Sequence, residues 1–137
     1  PFVTAASAQI SDLRVVMDLN DAWDKVNSTS KIVTGVIVVR KEFADKYPEQ
    51  LKQFIEEYKA SVEYTSTNVD ETAQLIADYG VVASATIAKK ALPKCHIVCY
   101  TNNDMKDALK GFLKVLYDQN PKSVGGSMPE DDFYYEY

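Results

Sequence analysis

The sequence predicts an α/β fold that is rich in helices and has few strands. A run of mainly β-branched residues, 32–39, gives way to a helical pattern at residues 51–62, with no linker between them. Stiff β-branched side chains suit a buried strand, and apolar residues three and four positions apart suit a helix with one buried face. Because a strand that is apolar on both faces needs cover on both sides, the two patterns together indicate a sheet flanked by helices.

Short elements precede this run. The spacing predicts a helix over residues 4–9, a strand over residues 13–17 and a helical turn over residues 21–26 that carries Trp23. The segment Asn27-Ser28-Thr29-Ser30 predicts a polar loop, because small polar side chains favour turns.

Helices dominate the remainder of the chain. Pro48 suits the first turn of the long helix, where its missing N–H costs nothing. Asn68 followed by Glu71 resembles a capping box at the start of the next helix, and Gly80 suits its end. Ser84 is a candidate cap for a further short helix.

The final helix is predicted over residues 103–119, with a core-facing apolar stripe at Met105, Leu109, Phe112, Leu113 and Leu116. The tail after it combines Gly125-Gly126 and Pro129 with acids and the aromatic residues 133–135. Two interpretations of the tail stay open: a closing strap whose rings dock while its acids remain in water, and an acidic aromatic arm for an interaction.

Composition excludes some classes of function. Fifteen basic against twenty acidic residues, a net charge of −5 and a pI near 4.8 argue against a nucleic-acid surface. No apolar run approaches the roughly 18 residues that span a bilayer. The sequence therefore predicts no nucleic-acid partner and no membrane span.

No residue pattern indicates catalysis. Cys95, His96 and Cys99 match no metal or redox template, so the cysteines are interpreted as buried small apolar residues. Acids such as Glu56 and Glu57 fall on exposed helix faces, and no Gly-x-Ser-x-Gly segment is present. The expectation is a protein that is not an enzyme, with no cofactor and no metal.

Four segments carry a family resemblance. They are GVIVVRKEFADKYPEQLKQFIEEYKASVEY, NVDETAQLIADYG, ALPKCHIVCY and NPKSVGGSMPEDDFYY. In this order they resemble the C-terminal part of the solute-binding proteins of ABC importers, in the branch of thiamine-pyrimidine, alkanesulfonate and nitrate binders. The resemblance implies the C-terminal portion of a type II periplasmic-binding-protein-like fold.

The resemblance also implies a domain organisation and a function. Residues 1–40 would end the second lobe and include the return strand, residues 41–120 would form the helical C-terminal part of the first lobe, and residues 121–137 would form a C-terminal strap. The chain would be a fragment of a longer protein that captures a small molecule and delivers it to ABC permease subunits. It would be extracytoplasmic, periplasmic or held at the outer face of the membrane by an anchor upstream.

Three residues are the predicted ligand contacts. By resemblance to a crevice segment, Phe2 would pack on the ligand and Thr4 would donate a hydrogen bond; the alternative is that both are ordinary residues at the start of a helix. Trp23 would close the site, or else it is a packing residue. The alternative function is a stand-alone α/β module that binds protein. Because the helices outnumber the strands available to cover them, the sequence also predicts self-association of the chain.

Overall fold

The structure, a computed structural model, describes all residues 1–137 and contains no β-strand. Helices account for 64% of the chain. The predicted α/β fold of the type II periplasmic-binding-protein class is therefore wrong, because each lobe of that fold is built on a sheet.

Both predicted strands are irregular segments. No backbone hydrogen bonds join residues 13–17 to residues 32–39. Val36 and Val38, which were expected to be buried in a sheet, are exposed. β-Branched composition favours a pleated surface, but a strand forms only when a neighbouring segment supplies hydrogen bonds and packing.

Seven α-helices follow one another along the chain. They are α1 (Phe2–Gln9), α2 (Leu19–Val26), α3 (Lys41–Lys46), α4 (Pro48–Thr67), α5 (Val69–Asp78), α6 (Ala85–Ala91) and α7 (Asn102–Gln119). Short 3-10 helices cover Leu92–Lys94, Pro121–Val124 and Asp131–Phe133.

Several predicted helix ends are confirmed. Pro48 is at the start of α4, where its ring fits the first turn. Gly80 has a φ of 69° just beyond α5, a conformation that glycine adopts without strain. The capping box is wrong in detail: Asn68 makes no side-chain cap, and Glu71 instead accepts a hydrogen bond from the Tyr64 hydroxyl at 2.5 Å.

The chain divides into two compact units. The first unit comprises residues 1–14 and 44–99, and the second comprises residues 15–43 and 100–137. Each unit is discontinuous in sequence, so each depends on contacts between distant segments.

The core of the first unit lies between α5, α6 and the 3-10 helix after α6. Ala73, Ala88 and Leu92 are buried there, and their partly buried neighbours are Val69, Ile76 and Val82. Small alanine side chains let α5 and α6 approach closely, so Leu92 supplies much of the apolar volume.

The second unit is organised by the crossing of the loop after α2 over α7. Ser30 is buried and Trp23 is half-buried, and both lie against α7. At Gly111 the loop comes so close that an added Cβ would be 2.9 Å from Ser30 Cβ. The missing side chain of Gly111 is therefore what permits the crossing.

Replacing Leu92 with alanine tests the core of the first unit. The loss of buried methyl groups and the resulting cavity should lower the free energy of unfolding by about 2–3 kcal/mol. Leu75→Ala, at a half-exposed position of α5, should cost much less. The measurement is the urea midpoint of each variant, and equal shifts for both would contradict this core assignment.

Replacing Gly111 with alanine tests the crossing. At an ordinary helix position this change stabilises by about 1 kcal/mol, but here the clash with Ser30 should reverse the sign and lower stability by about 1–2 kcal/mol. Gly35→Ala is the control, because nothing lies within 4 Å of its added Cβ. A higher melting temperature for Gly111→Ala would show that the loop does not press on α7.

Candidate functional site

The candidate site is an open cleft of about 320 Å³ in the second unit. One wall is the loop Ser28, Thr29, Ser30 and Lys31, and the other is Tyr100 with Asp104, Asp107 and Ala108. Two segments about 70 residues apart in sequence thus supply polar groups to one small space.

Local hydrogen bonds shape the loop wall. Asp18 is the N-cap of α2, and its side chain accepts hydrogen bonds from the backbone N–H groups of Asn20 and Asp21. After α2 ends, Asn27 Oδ1 accepts hydrogen bonds from Thr29 N at 3.1 Å and Thr29 Oγ1 at 3.0 Å. An asparagine that bonds to the residue two positions on forms a tight turn, so the loop folds back beside the helix.

Trp23 holds this wall against α7. Its indole Nε1 donates a hydrogen bond to Ser30 Oγ at 3.0 Å, and its ring is 5.7 Å from the ring of Phe112 between centroids. The bond satisfies the hydroxyl of Ser30, a residue only 4% exposed, which would otherwise be costly to bury. One side chain therefore fixes the loop and contacts the opposite helix.

The cationic group of the cleft is Lys31. Its Nζ is 2.9 Å from Asp24 Oδ1, and hydrogen bonding and charge attraction from that carboxylate raise the pKa of Lys31. The ammonium is therefore charged at neutral pH. An ammonium has three N–H donors, so donors remain for a ligand after the bond to Asp24.

The helical wall presents carboxylates. Asp104, Asp107 and Ala108 share one face of α7, because residues three and four apart in a helix are neighbours. Neither aspartate makes an ion pair with a side chain of the chain. They are acceptors exposed to whatever occupies the cleft, and the small Ala108 leaves space between them and the loop.

The arrangement suits a small polar molecule. Hydroxyl groups of the loop can donate or accept hydrogen bonds, Lys31 can bind a carbonyl or carboxylate oxygen, and Asp104 or Asp107 can accept a proton or a hydrogen bond. No cluster of His, Cys, Asp and Glu side chains could hold a metal ion. The side chains of the cleft can supply hydrogen bonding, charge attraction and proton transfer.

A second cleft, in the first unit, is larger at about 430 Å³ but less suited to a ligand. It lies at the junction of α4 and α5, where Lys89 pairs with Asp70 and the Tyr64 hydroxyl donates to Glu71. The hydrogen bond to Glu71 raises the pKa of Tyr64, so this phenol stays protonated. Its charged groups already bind one another.

The predicted ligand contacts have different positions. Phe2 and Thr4 are on α1 in the first unit, where Phe2 is 88% exposed and Thr4 is half-buried, and neither lines either of these two clefts. Trp23 lies in the second unit and bonds to Ser30, which lines the candidate site. Their roles as ligand contacts stay predictions, as does an extracytoplasmic location.

Sequence reasoning missed the lining residues. Ser28, Thr29 and Ser30 were interpreted only as a polar loop, and the one available signal was the spacing of Asp104 and Asp107 on a helix face. The cysteine prediction is also corrected: both thiols are free, but Cys95 is exposed rather than buried.

No helix combines the length and the apolar composition needed to cross a membrane. A model of the protein family described as menaquinone biosynthesis matches residues 4–117 of the chain. This range contains every residue that lines the candidate cleft. No curated protein and no solved structure matches the chain.

The family match overturns the resemblance to ABC-importer solute-binding proteins. Solute capture and delivery to permease subunits are wrong, because the family is a biosynthetic one, and the family match does not support the alternative of a protein-binding module. The expectation that the protein is not an enzyme is also wrong, since this family is typically enzymatic. The match covers most of the chain, and the chain belongs to the menaquinone biosynthesis family.

Proposed function

We propose that this chain serves an enzymatic step of menaquinone biosynthesis, and that the cleft between the Ser28–Lys31 loop and α7 binds the substrate of that step. The observation that carries the proposal is the family match over residues 4–117, which includes both walls of the cleft.

Charge and geometry favour an oxygen-rich substrate. A quinone ring and its precursors present carbonyl or carboxylate oxygens, which accept hydrogen bonds. The Lys31 ammonium, oriented by Asp24 at 2.9 Å, supplies a charged donor for such an oxygen. The hydroxyl groups of Ser28 and Thr29 supply neutral donors beside it.

Proton transfer would fall to the helical wall. A carboxylate facing a bound carbonyl compound can remove a proton from a neighbouring hydroxyl or carbon, and a positioned general base contributes about 10²–10⁴-fold to a rate. Asp104 and Asp107 occupy that wall, with Lys31 across the cleft. Lys31 would bind the oxygen on which negative charge develops, and an aspartate would take the proton.

The test is the quinone content of cells. The gene is deleted in the organism that encodes it, the full-length protein or a variant is supplied in its place, and menaquinone in membrane extracts is measured by chromatography. Deletion should remove menaquinone, and the unaltered protein should restore it. A deletion strain with normal menaquinone would overturn the proposed function.

Variants then test the cleft itself. Lys31→Met and Asp107→Asn should restore menaquinone at least about tenfold less well, because each removes a contact with the reacting molecule. Their controls are Lys25→Met, on the exposed surface of α2, and Asp45→Asn, on α3 outside the cleft. Full restoration by Lys31→Met and Asp107→Asn would leave the family role standing and show that the substrate binds elsewhere.

A further inference from the structure

The last eight residues of the chain lie outside the matched family range and are tied to α7. Tyr134 is only 5% exposed, and Lys106 Nζ is 6.0 Å from the centre of its ring. Tyr137 N donates a hydrogen bond to Asn102 Oδ1 at 2.9 Å, at the start of α7. We refer to residues 130–137 as the C-terminal latch.

Ion pairs hold the acidic part of the latch on two elements. Asp131 Oδ1 is 3.6 Å from Lys106 Nζ and 3.5 Å from Lys110 Nζ, both on α7. Glu136 Oε1 adds a second contact to Lys106 at 3.1 Å. Asp132 Oδ2 instead contacts Lys41 Nζ at 2.8 Å, on α3.

The ion pair with Lys41 connects the latch to the start of α3, which follows the loop of the cleft in sequence. Lys41 is the first residue of α3, directly after the irregular stretch that leads from the Ser28–Lys31 loop. Asp131 binds the helix that forms the opposite wall of the cleft. α7 is therefore held on two faces: Lys106 and Lys110 face the latch, whereas Asp104, Asp107 and Ala108 face the loop.

We propose that the C-terminal latch is a salt-sensitive clamp that fixes the two walls of the cleft relative to each other, by binding α7 through Asp131 and the segment behind the loop through Asp132. Its importance for substrate binding rests on the proposed function, but its mechanical role does not. Opening the latch would leave Trp23 and Ser30 to hold the walls alone. The walls would then separate more often, as expected for an element with few remaining contacts.

Salt should open the latch because its ion pairs are exposed. Asp131 and Asp132 are each 73% exposed as side chains, and mobile ions screen such pairs strongly once the Debye length falls to about 3 Å at 1 M salt. The burial of Tyr134 and the hydrogen bond from Tyr137 N to Asn102 Oδ1 would then be the contacts that still favour the closed latch. The closed state thus depends on several weak contacts that one change of solvent weakens together.

Acid should open it by the same route. Nearby lysines hold the pKa of Asp131 and of Asp132 below the ordinary value of 3.8. Such groups stabilise the closed latch above that ordinary value, and the stabilisation is lost as pH falls through the lowered pKa. The charged and titratable groups that contact the latch or belong to it are Lys41, Lys106, Lys110, Glu130, Asp131, Asp132, Tyr134, Tyr135, Glu136 and Tyr137. The latch should therefore stay closed at neutral pH and open only as the pH falls below 3.8, toward the lowered pKa values of these two carboxylates.

The experiment uses Trp23, the only tryptophan of the chain, as the probe. Its ring lies where the loop crosses α7, so acrylamide quenching of its fluorescence reports separation of the two walls. Quenching of the unaltered protein should increase about twofold between 0.05 and 1 M NaCl at pH 7. Asp131→Asn and Asp132→Asn should show the high quenching already at low salt and respond little to added salt.

The matched control is Glu130→Gln, which removes the same charge from a neighbouring carboxylate that makes no ion pair. It should behave as the unaltered protein. Equal quenching of Asp131→Asn, Asp132→Asn and Glu130→Gln at low salt would overturn the latch.

The tyrosine anchor gives a second pair of variants. The Tyr134 hydroxyl is buried without a hydrogen-bond partner, so Tyr134→Phe should keep the latch closed, whereas Tyr134→Ala should open it. Normal quenching in Tyr134→Ala would also contradict the proposal. None of these measurements needs a substrate, so they test the latch independently of the proposed function. Quenching can confirm the latch even if a deletion strain keeps its menaquinone, and it can contradict the latch even if deletion removes menaquinone.

Discussion

The second unit depends on the hydrogen bond between the Trp23 indole and the Ser30 hydroxyl. It allows a serine to be buried against α7, because a buried hydroxyl without a partner costs free energy. Gly111 makes the same contact sterically feasible, since any side chain at that position would meet Ser30. The cleft, with its loop wall and its helical wall, exists only while this crossing is maintained.

α7 links the cleft to the end of the chain. Its residues alternate between two roles, because positions three and four apart share a face while the intervening positions point elsewhere. Asp104 and Asp107 face the loop, and Lys106 and Lys110 bind the C-terminal latch. A movement of α7 would therefore change both the cleft and the contacts with the latch. For this reason the weak surface ion pairs of the latch can affect a cleft that they do not contact.

The resemblance to importer binding proteins rested on short segments, and the match over residues 4–117 replaces it. The strand expectation failed for a related reason. The β-branched side chains of residues 32–39 favour an extended, pleated backbone. A sheet also requires a neighbouring strand that supplies hydrogen bonds. Without such a neighbour the run is irregular, and Val38 is 80% exposed. Side-chain preference is a weak guide wherever pairing decides the structure.

Local features of this protein are determined by the sequence itself. Pro48 begins α4 because the proline ring fixes φ at a helical value, and Gly80 follows α5 because glycine adopts a positive φ without strain. Only the tertiary structure decided that Ser30 is buried beside Gly111, that Lys31 and Asp107 line the same cleft, and that Asp132 reaches Lys41. These contacts join residues far apart in the chain, and no local spacing encodes which distant partner a side chain meets.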